Sequence, residues 1–234
     1  MALVVDSLSA AYGDTQVLWD VSIRVEPGEV VALIGSNGSG KSSLLGAISG
    51  LVKKRGGTVV YDQTDLTALQ PDAIVRAGVV QVPQGRRLFN SLTVHENLLM
   101  GAYLRHDKEI ASDLERVLEM LPRLRQRYDF LAGKLSGGEQ QQVAIARALM
   151  ARPKAMLIDE MSLGLAPVLV DQLLEILATI NASGVAILMV EQDVQTALEF
   201  ATRAYVLETG RMTLVGPSSQ LLDDPQVQKA YLGV

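Results

Sequence analysis

The run Gly35-Ser36-Asn37-Gly38-Ser39-Gly40-Lys41-Ser42 follows directly on the apolar stretch Val30 to Ile34, and no other segment constrains the fold so tightly. A buried strand has to deliver a glycine-rich loop into the start of a helix, which is the repeating unit of an α/β protein. Gly35, Gly38 and Gly40 accept backbone angles closed to other residues, so the N–H groups along Ser36, Asn37 and Ser39 turn inward as donors. The helix expected to begin near Lys41 adds its positive N-terminal end. Such a loop is expected to cradle a nucleoside triphosphate. Lys41, read as an exposed, ligand-facing charge, would reach the β- and γ-phosphates, the Ser42 hydroxyl would coordinate a bridging Mg2+, and Ser43 would bond an inner phosphate.

The second informative segment is Leu135-Ser136-Gly137-Gly138-Glu139-Gln140-Gln141-Gln142. Alone it reads as a serine-capped helix start ahead of the amphipathic stretch Gln141 to Ala151. It is followed, however, by Arg152-Pro153-Lys154-Ala155-Met156-Leu157-Ile158-Asp159-Glu160, an apolar strand ending in two carboxylates. With the glycine-rich loop upstream, this order resembles the ATP-binding cassette family. The resemblance implies an α/β fold of the P-loop NTPase type: a mixed central sheet, an N-terminal antiparallel β lobe and an inserted helical lobe. One domain over residues 1–234 is expected, with the helical part at about 86–135 between the Gln84 loop and the Ser136 signature.

Residue roles follow from the same resemblance. Asp159, at the end of its strand, would hold Mg2+ together with Ser42 and Gln84. Glu160 is the family's position for the carboxylate that polarises the attacking water, which a strand end beside the γ-phosphate makes possible. Tyr12, in Ala10-Ala11-Tyr12-Gly13, matches the aromatic that stacks on adenine. Gln84, in Val82-Pro83-Gln84-Gly85, matches the glutamine that touches metal and water and reports to the membrane partner. Ser136, Gly137, Gly138 and Glu139 form the signature that covers the γ-phosphate of ATP bound to an opposite subunit, so hydrolysis requires a dimer, with itself or with a paralogue.

Three departures from the family pattern stand out. Gln192 occupies the place of the usual switch histidine; an amide donates a hydrogen bond to a γ-phosphate but carries no titrating charge. The loop after Glu160 has Met161 in place of proline and Ala166 in place of aspartate, so a cross-dimer aspartate contact does not carry over. Glu139 replaces the more usual glutamine. Taken with Glu96-Asn97-Leu98-Leu99-Met100-Gly101, Ser162-Leu163-Gly164-Leu165-Ala166-Pro167 and the closing Ala230-Tyr231-Leu232-Gly233, these features resemble the ATP-binding subunits of branched-chain amino acid importers. Urea and amide importers share part of the pattern. A regulatory cassette ATPase outside transport is the other-class alternative. The resemblance implies permease subunits, a second ATPase subunit and, indirectly, a solute-binding protein as partners.

Composition agrees with such a subunit. The chain has 234 residues, of which 48% are hydrophobic and 20% charged, enough to bury a sizeable core. A formal net charge of -5 gives no general polyanion-binding surface, so no nucleic acid is expected. With no cysteine, disulfides and thiol chemistry are excluded. The apolar runs, Ala186 to Val190 among them, fall short of the ~20 residues of a membrane helix. Met1-Ala2-Leu3-Val4-Val5-Asp6 lacks a basic region and cleavage signal, which predicts a cytoplasmic chain, peripheral on the inner face of the membrane.

Strands are expected at Leu3 to Leu8, Trp19 to Val25, Val30 to Ile34 and Thr58 to Tyr61. Helices are expected at Thr93 to Tyr103 and Ile110 to Leu121. The tail is expected to alternate: Val168 to Ala182, Val185 to Val190, Val194 to Phe200, Ala204 to Glu208 and Met212 to Val215, then a capped helix from Ser218 and another from Pro225. Arg86, Arg87 and Arg105 read as solvated surface.

Overall fold

The computed structural model describes residues 2–232; Met1 of the N-terminal segment and Gly233 of the closing segment lie outside them. The strands are β1 (Leu3–Tyr12), β2 (Thr15–Val25), β3 (Val30–Ile34), β4 (Lys53–Tyr61), β5 (Thr64–Asp65), β6 (Val79–Val82), β7 (Ala155–Asp159), β8 (Ala186–Val190), β9 (Arg203–Glu208) and β10 (Arg211–Pro217). They form two sheets. Four strands in the order β2-β1-β4-β5 make an antiparallel lobe, and six in the order β10-β9-β3-β8-β7-β6 make the central sheet. In the latter the neighbours from β9 to β6 run parallel and β10 closes one edge antiparallel, so the sheet is mixed.

Strands β1 and β4 run longer than the apolar pattern predicts. Pairing slips between Val5 and Leu8 and again before Ala10, with Ser7 at φ 50°, so the period-two alternation breaks while the ladder continues. The first half of β4, Lys53 to Gly57, carries no apolar signal. It pairs with Ala11, Ala10 and Ser9 through backbone groups alone.

All residues of β3, β7 and β8 are buried, as a strand covered on both faces requires. Their side chains alternate. Val31, Leu33, Leu157 and Leu188 join the antiparallel lobe and α1 (Lys41–Ile48) in one core. Val30, Ala32, Ile34, Met156 and Ile158 point the other way. There they meet α6 (Gly137–Leu149), α7 (Pro167–Ala182) and α8 (Val194–Phe200), through Ile145, Leu177 and Leu198. Each large apolar side chain so buried contributes about 1.5–3 kcal/mol.

Between β6 and α6 lie α3 (Val94–Gly101), α4 (Ile110–Met120), α5 (Pro122–Gln126) and a 3-10 turn (Ala132–Lys134). They build a third core with α6 around Leu98, Leu118, Leu124 and Val143. A short α2 (Pro71–Arg76) precedes β6. The chain ends in α9 (Ser218–Leu222), α10 (Pro225–Val227) and a π-helical turn (Gln228–Leu232). Among the described residues no helix is long and apolar enough to cross a membrane.

Two local expectations are corrected. Arg105 is not solvated surface: its side chain is 11% exposed, pairs with Asp113 at 2.6 Å and Asp107 at 2.7 Å, and donates to Met150 O. Asp113 also accepts from Arg152, so the charges pin α4 to the end of α6. The helix from Ser218 has no side-chain cap, because Pro217 occupies the cap position and Ser218 is buried one residue inside.

Candidate functional site

In parallel strands all carboxyl ends lie on one edge, and a ligand binds where the loops leaving that edge diverge. Strands β3, β8, β7 and β6 are consecutive neighbours. Their ends therefore set side by side the glycine-rich loop after Ile34, Gln192 after Val190, Asp159 with Glu160, and Gln84 after Val82. Ser42 and Asp159, 117 residues apart in the sequence, meet in this site.

The loop itself is fixed by contacts that only glycine permits. A Cβ on Gly35, at φ 155°, would stand 2.2 Å from the Leu207 carbonyl and 2.8 Å from Ser39 Oγ. Gly40, the residue before α1, has φ 109° and gives the helix no side-chain cap. From outside, Gly210 N donates to Ser39 O at 2.8 Å, so the β9–β10 turn buttresses the loop. Lys41 Nζ donates to Gly35 O at 2.7 Å and Ser36 O at 3.0 Å. The expectation of an exposed lysine is wrong: Lys41 is 5% exposed. Burial lowers its pKa, opposed by the charges of Glu160 and Asp159.

The carboxylates follow. Asp159, 5% exposed, accepts from Ser42 Oγ at 2.9 Å. Burial raises its pKa, the Ser42 hydrogen bond lowers it and the nearby Glu160 charge raises it again. Glu160 has φ 46°, a left-handed conformation that turns its side chain off the strand axis. Its Oε2 accepts from Gln84 Nε2 at 2.5 Å and Gln192 Nε2 at 3.0 Å. The two amides and both carboxylates thus share one centre. A cavity of about 510 Å³ is lined by Tyr12, Ser42, Gly46, Gln84, Arg87 and Asp159. A cleft of about 160 Å³ runs along Asn37, Gly38, Gly40, Lys41, Ser43 and Glu160, and Ser42 lines both. Tyr12 is half exposed at the end of β1, its hydroxyl 3.5 Å from Ser43 Oγ.

Mg2+ fits these donors. The Ser42 hydroxyl and the Asp159 carboxylate are hard oxygen ligands already 2.9 Å apart, and a dication beside Asp159 offsets the burial that raises its pKa. Among the described residues no group of three His, Cys, Asp or Glu forms a protein-only metal cage. Ser39 Oγ is buried in the loop without a hydrogen-bond partner.

The signature lies elsewhere. Ser136 is exposed at the N-terminus of α6, with Gly137 and Gly138 in its first turn. Glu139 turns back to Ser136 N at 2.9 Å and pairs with Arg127 at 2.9 Å, so its carboxylate is engaged within its own lobe. Ala166, where the family pattern has aspartate, leaves α7 without a side-chain cap.

Sequence reasoning missed Arg147. From the last turn of α6 it donates to Arg87 O at 2.8 Å and Arg86 O at 3.0 Å, while Arg86 donates to Gln140 at 3.2 Å. These bonds tie the loop after Gln84 to the helix that carries the signature. Arg86 and Arg87 have φ of 67° and 44°, and the guanidinium holds that strained turn. No local pattern marks an arginine on a helix face as a ligand for a loop 60 residues away.

A sequence profile described as ABC transporter matches residues 18–162. The chain is 46% identical to the high-affinity branched-chain amino acid transport ATP-binding protein BraG of Pseudomonas aeruginosa, covering 97% of this chain and 98% of that one. Its fold matches the ADP conformation of MJ1267, an ATP-binding cassette of an ABC transporter, with a TM-score of 0.89, 31% identity and full coverage of both chains. It also matches the ATP-binding cassette MJ0796, a dimer in a post-hydrolysis state bound to ADP and phosphate, with a TM-score of 0.82, 26% identity and coverage of 92% and 98%.

Proposed function

The chain belongs to the ABC transporter family, and we propose that it is the ATP-hydrolysing subunit of an importer for branched-chain amino acids. One observation carries the chemistry: Ser42 bonded to Asp159, and Gln84 and Gln192 both bonded to Glu160, at the mouth of the glycine-rich loop. The nearly full-length similarity to BraG supports the solute.

The α1 N-terminus and the loop N–H groups hold the phosphates of ATP, and the buried Lys41 ammonium neutralises charge on the β- and γ-oxygens. Mg2+, held by Ser42 and Asp159 with Gln84 nearby, would supply charge neutralisation at the β- and γ-phosphates. Tyr12 stacks on the adenine. Glu160 Oε1, the oxygen the two amides leave free, accepts a proton from water as the water oxygen attacks the γ-phosphorus in line and the bond to the β-phosphate oxygen breaks, giving ADP and phosphate. Gln84 and Gln192 donate to Oε2 and fix the direction of the carboxylate. Positioning and electrostatics supply most of the acceleration in phosphoryl transfer.

Ser136 is exposed at the start of α6, so the donors at that end act on ATP held by a second ATPase subunit, with the α6 dipole adding to the attraction. The permease docks on the helical lobe. A groove of about 580 Å³ there, between α3 and α6, exposes Phe89 and Tyr103 beside the Gln84 loop. Through the permease the chain sits at the inner face of the membrane, and a solute-binding protein delivers the solute from the far side. ATP closes the ATPase pair and hydrolysis opens it, which shifts the permease between its two access states.

Uptake by the assembled transporter in proteoliposomes tests the reading. ATP-dependent accumulation of leucine, isoleucine and valine is expected. Accumulation of urea or short amides in their place would move the chain to that class of importer, and ATP turnover that no permease influences would favour a regulatory ATPase.

A further inference from the structure

Glu191, the residue immediately after β8, is the most deeply buried carboxylate of the described residues, 1% exposed, and the chemistry above gives it no part. Its Oε1 accepts from Met161 N at 3.0 Å and Ser162 N at 3.3 Å, and its Oε2 accepts from Ser162 Oγ. All three donors come from the two residues after Glu160. One residue earlier in β8, Val190 O accepts from Glu160 N at 2.9 Å. The end of β8 therefore grips Glu160 from both sides.

Glu160 needs such a grip. Its φ of 46° is one that a residue with a side chain keeps only where its surroundings hold it. Burying a carboxylate is costly unless donors surround it, so the three bonds at Glu191 are a strong local constraint. Burial raises the Glu191 pKa, the Ser162 and Met161 hydrogen bonds lower it, and the neighbouring Glu160 charge raises it again.

We infer that Glu191 is a positioning residue for hydrolysis: it clamps the left-handed turn at Glu160 and so aims the Glu160 carboxylate at Gln84, Gln192 and the attacking water. Release of the clamp lets Glu160 relax toward ordinary backbone angles, and its carboxylate leaves the two amides. The inference rests on Glu160 acting as the base. It assigns Glu191 no contact with nucleotide, so hydrolysis and binding must respond differently to its loss.

The experiment measures kcat for ATP in the assembled transporter and ATP affinity by calorimetry, for Glu191→Met, Glu191→Gln, Ser162→Ala and, alongside, Glu160→Gln. Glu191→Met keeps the chain length and removes the acceptors; its kcat should fall about 100-fold, the scale of a small misplacement of a reacting group. Its ATP affinity should stay within about twofold of the parent, the signature of an interaction used only in turnover. Glu191→Gln should restore most of the rate, since its amide oxygen still accepts both N–H groups and its amide nitrogen donates to the Ser162 hydroxyl. Ser162→Ala, which removes one donor and leaves the buried residue intact, should lower kcat about tenfold at unchanged affinity. Parent turnover in Glu191→Met, or equal loss in Glu191→Gln and Glu191→Met, overturns the inference. If Glu191→Met does not fold, parent turnover in Ser162→Ala does the same. Parent turnover in Glu160→Gln instead removes the base assignment itself, a separate failure.

Discussion

Two helix N-termini, one after the glycine-rich loop and one at the signature segment, are built in opposite ways. At α1 the residue before the helix is Gly40, and no side chain caps the first turn. At α6 a capping box closes the end: Ser136 N donates to Glu139 Oε2 at 2.9 Å and Glu139 N donates to Ser136 Oγ at 3.4 Å. An uncapped end keeps its donors and its dipole for an anion, whereas a capped end is stable alone. In the mechanism proposed above, the first end suits a site that holds phosphate within the chain, and the second a signature that stays folded before another subunit's nucleotide arrives.

The largest effect should come from the α1 end. Lys41→Ala removes the cation and leaves Gly35 O and Ser36 O without their donor. ATP affinity should fall at least about tenfold and turnover disappear. Because Lys41 is buried, stability should also drop by about 1–3 kcal/mol, which lowers the melting temperature. ATP titration that matches the parent would end the assignment of α1 as the phosphate site. Glu160→Gln ranks next: hydrolysis should slow about 100- to 10,000-fold, the contribution of a general base, with ATP binding intact.

At the α6 end the two functions should come apart. Ser136→Ala removes the cap and should lower stability by about 1 kcal/mol. ATP binding to the isolated chain should be unchanged, while turnover in the assembled transporter falls. Equal loss of both would place Ser136 in the same subunit's site and erase the contrast.

A smaller effect tests the switch position. Gln192→His should add a titration near pH ~6.5 to the rate profile, absent from the parent. Superimposable profiles for parent, Gln192→His and Gln192→Ala would remove Gln192 from the site despite its bond to Glu160. Glu139→Gln should be the mildest change, since glutamine also completes a capping box. The Arg127 hydrogen bond lowers the Glu139 pKa, partly opposed by burial. A depressed folded pKa stabilises above the unfolded value, ~4.3, and that stabilisation is lost as pH falls through the folded one. The parent should therefore be slightly more stable than Glu139→Gln at pH 7, and chemical denaturation should show the gap closing as the solution is acidified below the ordinary glutamate range. A gap that widened in acid would mean that Arg127 is not the partner that matters.

Much of the molecule was legible because its signals are local. Glycines at Gly35 and Gly40 after an apolar run specify a strand, a loop and a helix start, and β3 and α1 begin where the sequence puts them. Serine followed three residues later by glutamate specifies a capped helix, and α6 begins after Ser136. The apolar runs at Ala155 and Ala186 specify strands covered on both faces. Other features have no local signature. The polar half of β4 forms because β1 offers it a ladder, and α2 is too short to show a period.

The amino-acid sequence by itself determined most of the elements, their order and the chemical groups at their ends, since propensity, turn chemistry and capping act over a few residues. Only the tertiary structure decided which of those ends meet. The sheet order β3-β8-β7-β6 carries Ser42 to Asp159, and Gln84 and Gln192 to Glu160. It buried Lys41, drew Arg105 inward and set Arg147 and Glu191 to hold two strained turns. The physical reason is one of distance. A charged side chain reads as solvated until long-range packing excludes water from it, and from then on it must find partners wherever in the chain they lie.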